Sequence, residues 1–339
     1  MSVSSIQKNS TLDKKTKALY PSWQTLVMCT IVLILVAVAI GMRLYQLGLP
    51  FDRDSYDEGV YWQSLRAMGA GYPLYQEIFY SQPPFFLLST FPSYLLFGST
   101  LESARLGIVL VSLLGLGGAF VLGKALSGRL GAVAALLLLV VNPSYLAQSQ
   151  AIQAEASSVA FSLLAVGFAY LWWEQPEGSA GLWWAVLTGI TLSLSILCKL
   201  LTVACIAPIG LLILARLWQN WQKDKKISFA TLWPIVAGIV AFLGTSLLVL
   251  LPFFGSFSAF AQSVITFHTD AGVALENTQQ GNTAILEPAF TSLLALTAFY
   301  GTIGALVRRD WCVVPLLVWL LGTGYLLWHQ VPLFTHHLI

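Results

Sequence analysis

The chain has 339 residues, of which 57% are hydrophobic and only 9% charged, with a formal net charge of +2. So few polar groups cannot cover the apolar surface of a soluble globule of this size, which leaves a polytopic membrane protein. The small net charge, with its bases scattered among short loops, excludes a nucleic-acid-binding face, and no nucleic-acid partner is expected.

In chain order, residues 1–22 read as a basic cytoplasmic tail carrying Lys8, Lys14, Lys15 and Lys17. The apolar run from Gln24 to Tyr45 follows, and roughly 20 residues suffice to cross a hydrocarbon core. It is too long for a cleaved signal peptide and lacks the small-residue cleavage site. With the lysines held inside, residues 46–102 form an extracytoplasmic loop. That loop opens on an acidic strip containing Asp52, Asp54, Asp57 and Glu58. It closes on the apolar stretch 83–98, which is short and broken by Pro92 and so suits an interfacial helix.

Further spans read at Ser103–Leu122, Arg129–Tyr145, Val159–Trp173, Leu182–Leu197, Leu200–Leu217, Leu232–Phe253, Phe290–Val307 and Trp311–Trp328, about nine with the first. The run 182–217 is too long for one crossing and splits at Lys199. This division keeps Lys124, Arg129, Lys223, Lys225, Lys226, Arg308 and Arg309 on the cytoplasmic side. The loop 174–181, with two glutamates and no base, lends it no support. Cys29, Cys198, Cys205 and Cys312 lie in apolar segments without disulfide or zinc spacing and read as packing residues. After His329 the chain turns into PLFTHHLI and ends as an apolar segment begins, which reads as an incomplete or reduced member of its class.

The ionisable residues of the extracytoplasmic side are few, and charged groups at membrane depth are functional candidates by default. Asp52, Asp54, Glu276 and Glu287 also suit a solvated loop. Glu155 and Lys199 differ, because each interrupts an apolar hairpin at its tip, where the plain alternative is a side chain reaching interfacial water.

The stretch Asp57-Glu58-Gly59-Val60-Tyr61, followed by Pro83-Pro84-Phe85-Phe86, is combined with ESARLGIVLVSLLG (102–115), GRLGAVAALLLLVVNPSYLAQSQAIQAEA (128–156) and CKLLT (198–202). In this order and spacing the sequence resembles the GT-C membrane glycosyltransferases. Within them it is similar to the branch of dolichyl-phosphate-mannose protein mannosyltransferases and the lipid A aminoarabinose transferase, glycosyltransferase family 39. The resemblance implies an all-α transmembrane bundle over residues 23–339 with interfacial helices in the first extracytoplasmic loop. It further implies a polyprenyl-phosphate-sugar donor and a lipid, glycan or protein acceptor, in a bacterial inner membrane. Asp57 maps to the family's base, Glu58 to a residue positioning acceptor or base, Glu155 to a second acid, and Lys199 to a cation on the donor phosphate. His336 and His337 are weaker candidates for the same phosphate, and Arg105 completes the expected substrate-binding set. Relatives carry a basic residue before the Pro-Pro pair. Here Ser81-Gln82 stands there, leaving Gln82 to hydrogen-bond a sugar hydroxyl.

The chemistry agrees. Inverting transfer needs one carboxylate to take the acceptor's proton, and a phosphate leaving group needs a cation and no general acid. No cofactor is expected. Asp57, Glu58 and Glu155 are oxygen donors that suit Mg²⁺ or Mn²⁺, but adjacent Asp-Glu is poor support for a metal. A secondary transporter or lipid flippase is the main alternative, although no internal repeat is found and the charges avoid the midplane. A non-catalytic subunit of the same fold is a third reading.

Overall fold

The computed structural model describes residues 23–45, 47–51, 56–226 and 228–338. Asp52 and Asp54 and the basic tail lie outside them. Among the described residues there is no strand, only one isolated bridge between Leu74 and Ile78.

The helices run α1 Trp23–Leu44, α2 Tyr56–Gly69, α3 Phe85–Leu96, α4 Leu101–Val141, α5 Pro143–Gln148, α6 Ala154–Glu174, α7 Gly178–Cys198, α8 Ile206–Asp224 and α9 Phe229–Leu250. They continue as α10 Phe257–Ala261, α11 Phe267–Ala274, α12 Asn282–Phe290, α13 Leu293–Val307 and α14 Val314–His329. Seven helical stretches among the described residues are long and apolar enough to cross a membrane, or up to eight if the pair Thr278–Phe290 and Leu293–Val307, bent by 71°, counts as one. The chain is a multi-pass integral membrane protein.

One of those seven, α4, is a hairpin. Its backbone leaves helical geometry at Ser127 and Gly128, where Gly128 has φ 64°, a left-handed value that glycine adopts without a Cβ penalty. Beyond the turn the two arms press together so closely that a Cβ on Gly123 would run into the Gly131 carbonyl and Ala135. The two spans predicted on either side of residue 128 are these arms. The structure departs from the sequence reading at α9, where helical structure continues through α10 and α11 to Ala274, well past the single crossing expected there.

Small residues set the helix spacing. A Cβ on Gly118 of α4 would meet the backbone of Leu163 and Leu164 in α6, and one on Gly189 of α7 would meet the Gly238 carbonyl of α9. In lipid, where apolar side chains gain little by leaving apolar solvent, such close backbone approach supplies much of the packing energy. The end of α1 is tied down by Gln150, whose amide donates to the carbonyls of Met42 and Tyr45, each at 2.8 Å. Carbonyls in the last turn of a helix lack an intrahelical donor and need such a partner. Arg43 is fully buried beside them, donating to Ser112 at 3.2 Å over the Tyr145 ring.

Helices α2 and α3 form a cap over one end of the bundle. Helix α3 is too short to cross, packs against α2, α4 and α7, and buries Phe86 and Leu87 fully. The segment between them folds around Tyr75, whose ring meets Phe253 and Phe260 edge-on at 5.2 and 5.1 Å. Residues 251–268 therefore close the cap from the other side, and His268 donates to the Ser81 carbonyl at 2.8 Å.

Candidate functional site

Three helix ends converge under this cap. Asp57 and Glu58 lie in the first turn of α2, and Glu155 in the first turn of α6. Lys199 sits at the C-terminal cap of α7, in extended backbone with φ −156° and ψ 127°. Acids at helix N-termini and a cation at a C-terminus each complement the helix dipole. Because α6 and α7 are joined by a short turn at one end, the start of α6 and the end of α7 come together at the other. Residues 44 apart thereby meet in a buried ion pair between Lys199 Nζ and Glu155 Oε1.

The last described segment completes the cluster. In the short turn Thr335–His337, His336 Nε2 lies 3.3 Å from Asp57 Oδ2 and 3.6 Å from Glu155 Oε1. His337 Nε2 lies 4.0 Å from the same Glu155 oxygen. Burial and the neighbouring Lys199, His336 and His268 push the His337 imidazole down to about 2, so it is neutral at any physiological pH. The Asp57 carboxylate retains 38% exposure, against 6% for Glu155, so it is the acid an incoming group can reach.

Glu58 and Arg105 are also brought together, but with each other. Arg105 Nε donates to Glu58 Oε1 at 2.7 Å and Nη2 to Oε2 at 2.9 Å. Arg105 Nη1 donates to the Leu47 carbonyl at 2.7 Å, and the Ile152 amide donates to Glu58 Oε1 at 2.9 Å. Both side chains are sealed, at 6% and 3% exposure. This bidentate fork ties α2, α4, the 47–49 turn and the start of α6 into one unit. The pair thus anchors the first turn of α2, which carries Asp57, to the chain entering α6, which carries Glu155.

Gln82 lies partly buried with its side chain against the Tyr61 phenol. The sequence assigns no site role to Tyr61, which belongs to the Asp57–Tyr61 stretch, or to His268. Tyr61 follows Asp57 by four residues, one helical turn, which places both on one face. Burial first, then the Glu155 and Asp57 carboxylates, push its phenol well above the ordinary value, so it remains a proton donor. In the sequence His268 counts only as one more ionisable residue near the outer surface, and it reaches the cap from the first turn of α11.

A cavity of about 360 Å³ opens from this cluster between α6 and α14. Its polar end is formed by Glu155, Lys199 and His337, while Leu139, Val159, Leu163, Trp319, Leu320 and Leu327 are among the apolar residues lining it. The arrangement offers an ammonium at the head of an apolar slot, with an accessible carboxylate nearby. As for a metal, Glu155, His336 and His337 present one ligand atom each, all within 4.8 Å of one another. The Lys199 ammonium already holds that glutamate oxygen and would compete with a cation for it.

Residues 74–268 match the dolichyl-phosphate-mannose-protein mannosyltransferase family. No curated protein sequence matches the chain. Among solved structures the chain is similar to the Archaeoglobus fulgidus oligosaccharyltransferase, crystallised in complex with zinc and sulfate. The TM-score is 0.51 at 13% identity, over 88% of this chain and 46% of that one. This likeness concerns the fold, which is of the GT-C type, and the chain spans less than half the length of that enzyme.

Proposed function

The chain belongs to the dolichyl-phosphate-mannose-protein mannosyltransferase family, and from that premise we propose that it is an inverting membrane glycosyltransferase using a polyprenyl-phosphate sugar. The observation that carries this reading is the apolar cavity headed by Lys199, Glu155 and His337. In this reading an isoprenoid tail lies along the apolar walls, with the donor phosphate at Lys199 and the sugar under the cap toward Asp57. Asp57 takes the proton of an acceptor hydroxyl as its oxygen attacks the anomeric carbon opposite the phosphate. The bond from sugar carbon to phosphate oxygen breaks, its electron pair stays on the phosphate, and Lys199 stabilises that charge. Glu58 and Arg105 position the base, and Tyr61 and Gln82 supply donors for sugar hydroxyls.

The reaction is read as metal-independent, with a lipid, glycan or protein as acceptor. The site faces the extracytoplasmic side of the plasma membrane, with the N-terminus in the cytoplasm. That orientation is supported by Lys223 in the last turn of α8, with Lys225 and Lys226 just beyond it, roughly 28 Å along the axis from the helix start at 1.5 Å per residue.

The test is sugar transfer from a labelled polyprenyl-phosphate sugar by purified protein in liposomes, with the product's anomeric configuration determined. Cleavage of the donor with inversion is the expected result. Movement of intact donor between leaflets without cleavage would instead favour a flippase.

A further inference from the structure

Lys199 is nine-tenths buried, and among the described residues Glu155 is its one ion-pair partner. Both side chains line the same cavity. A phosphate entering at Lys199 must therefore arrive where a carboxylate already sits, and two anions cannot both keep the ammonium without strong repulsion in so dry a place. Glu155, however, would not be stranded by losing the lysine. His336 Nε2 stands 3.6 Å and His337 Nε2 4.0 Å from its Oε1, and His336 Nε2, which is also 3.3 Å from Asp57 Oδ2, is buried with no hydrogen bond yet formed to either carboxylate.

We propose that Glu155 is a placeholder anion: it occupies Lys199 in the empty site, yields the ammonium to the donor phosphate, and turns to the histidine pair while lipid is bound. After transfer the polyprenyl phosphate product is left on Lys199, and Glu155 competes to take the ammonium back, which hastens product release. The residue thus raises turnover by weakening binding of the phosphate. This assignment rests on the functional reading above and gives Glu155 a task distinct from contact with the sugar.

The experiment measures binding of farnesyl phosphate, with farnesol as the phosphate-free control, to the purified full chain and to Glu155→Gln. The variant should bind farnesyl phosphate about tenfold more tightly, since removing one like charge from a desolvated pair is worth at least that. Farnesol binding should not change, and inhibition of transfer by farnesyl phosphate should strengthen in parallel. Unchanged or weaker farnesyl phosphate binding by Glu155→Gln, with saturable binding by the parent, would overturn the placeholder role and leave the glycosyltransferase reading intact. Absence of saturable binding by the parent would remove both. Should Glu155→Gln fail to fold, Glu155→Asp draws the carboxylate back by one methylene and must shift affinity in the same direction. A loss of affinity there overturns the proposal.

Discussion

Arg105 and Glu58 grip each other through two contacts of 2.7 and 2.9 Å, buried between the cap and the bundle. Removing one partner of such a pair strands the other charge and typically costs about 3–5 kcal/mol. Glu58→Ala and Arg105→Ala should each lower thermal stability severely and lose transfer with it. The double variant Glu58→Met/Arg105→Met leaves no charge stranded and should recover most of the stability. Recovery of activity alongside stability identifies the pair as positioning residues, whereas a stable but inactive double variant would give one of them a direct part in the chemistry.

Lys199→Ala should weaken donor binding and depress turnover further, by about 10²-fold or more, because the departing phosphate carries more charge than the bound donor. Lys199→Arg should restore part of both, since the charge remains but a planar fork replaces a compact ammonium. Donor binding and single-turnover transfer separate the two effects. A variant that loses neither would remove Lys199 from the phosphate.

Much of this was legible in the sequence because it depends on local quantities. The length of an apolar run fixes whether it can cross, so the short α3 and the break at Lys199 could be read directly. Lys199 and Glu155 stood out because each was the lone charge at a hairpin tip. The mutual pairing of Glu58 with Arg105 could not be read, since nothing local distinguishes two charges that satisfy each other from two that face a substrate. The return of His336 to Asp57 likewise depends on how the last helix packs. Tyr61 stands in the Asp57–Tyr61 stretch and is readable from its one-turn spacing to Asp57, although the stretch itself gives it no role.

The cavity makes its own prediction. Thr323→Phe places a ring where the lipid tail is read to lie. Displacing even two methylenes should weaken binding of a long-chain polyprenyl-phosphate donor by about tenfold. A donor whose short tail does not reach Thr323 should be unaffected. Equal losses for both would show that the tail does not follow this slot.

His337 predicts a pH dependence of stability. Its folded-state value is depressed to about 2 from an ordinary 6.5, so below pH 6.5 the unfolded chain binds a proton that the folded chain refuses. Stability from this residue is therefore full above that pH and declines as pH falls below it. Thermal unfolding in detergent should show a decline toward acid that is shallower in His337→Gln. An unaltered slope would mean that His337 is not held neutral in the folded protein.

The most direct test of the whole account is Asp57→Asn, assayed for transfer from a polyprenyl-phosphate sugar in reconstituted membranes with donor binding measured in parallel. The change keeps the size of the side chain at the start of α2 and removes only its ability to accept the acceptor's proton. General-base contributions are typically about 10²–10⁴-fold, so transfer should fall by at least about 100-fold while donor binding stays near that of the parent. Near-normal transfer by Asp57→Asn would contradict the account and shift the base to another acid of the cluster.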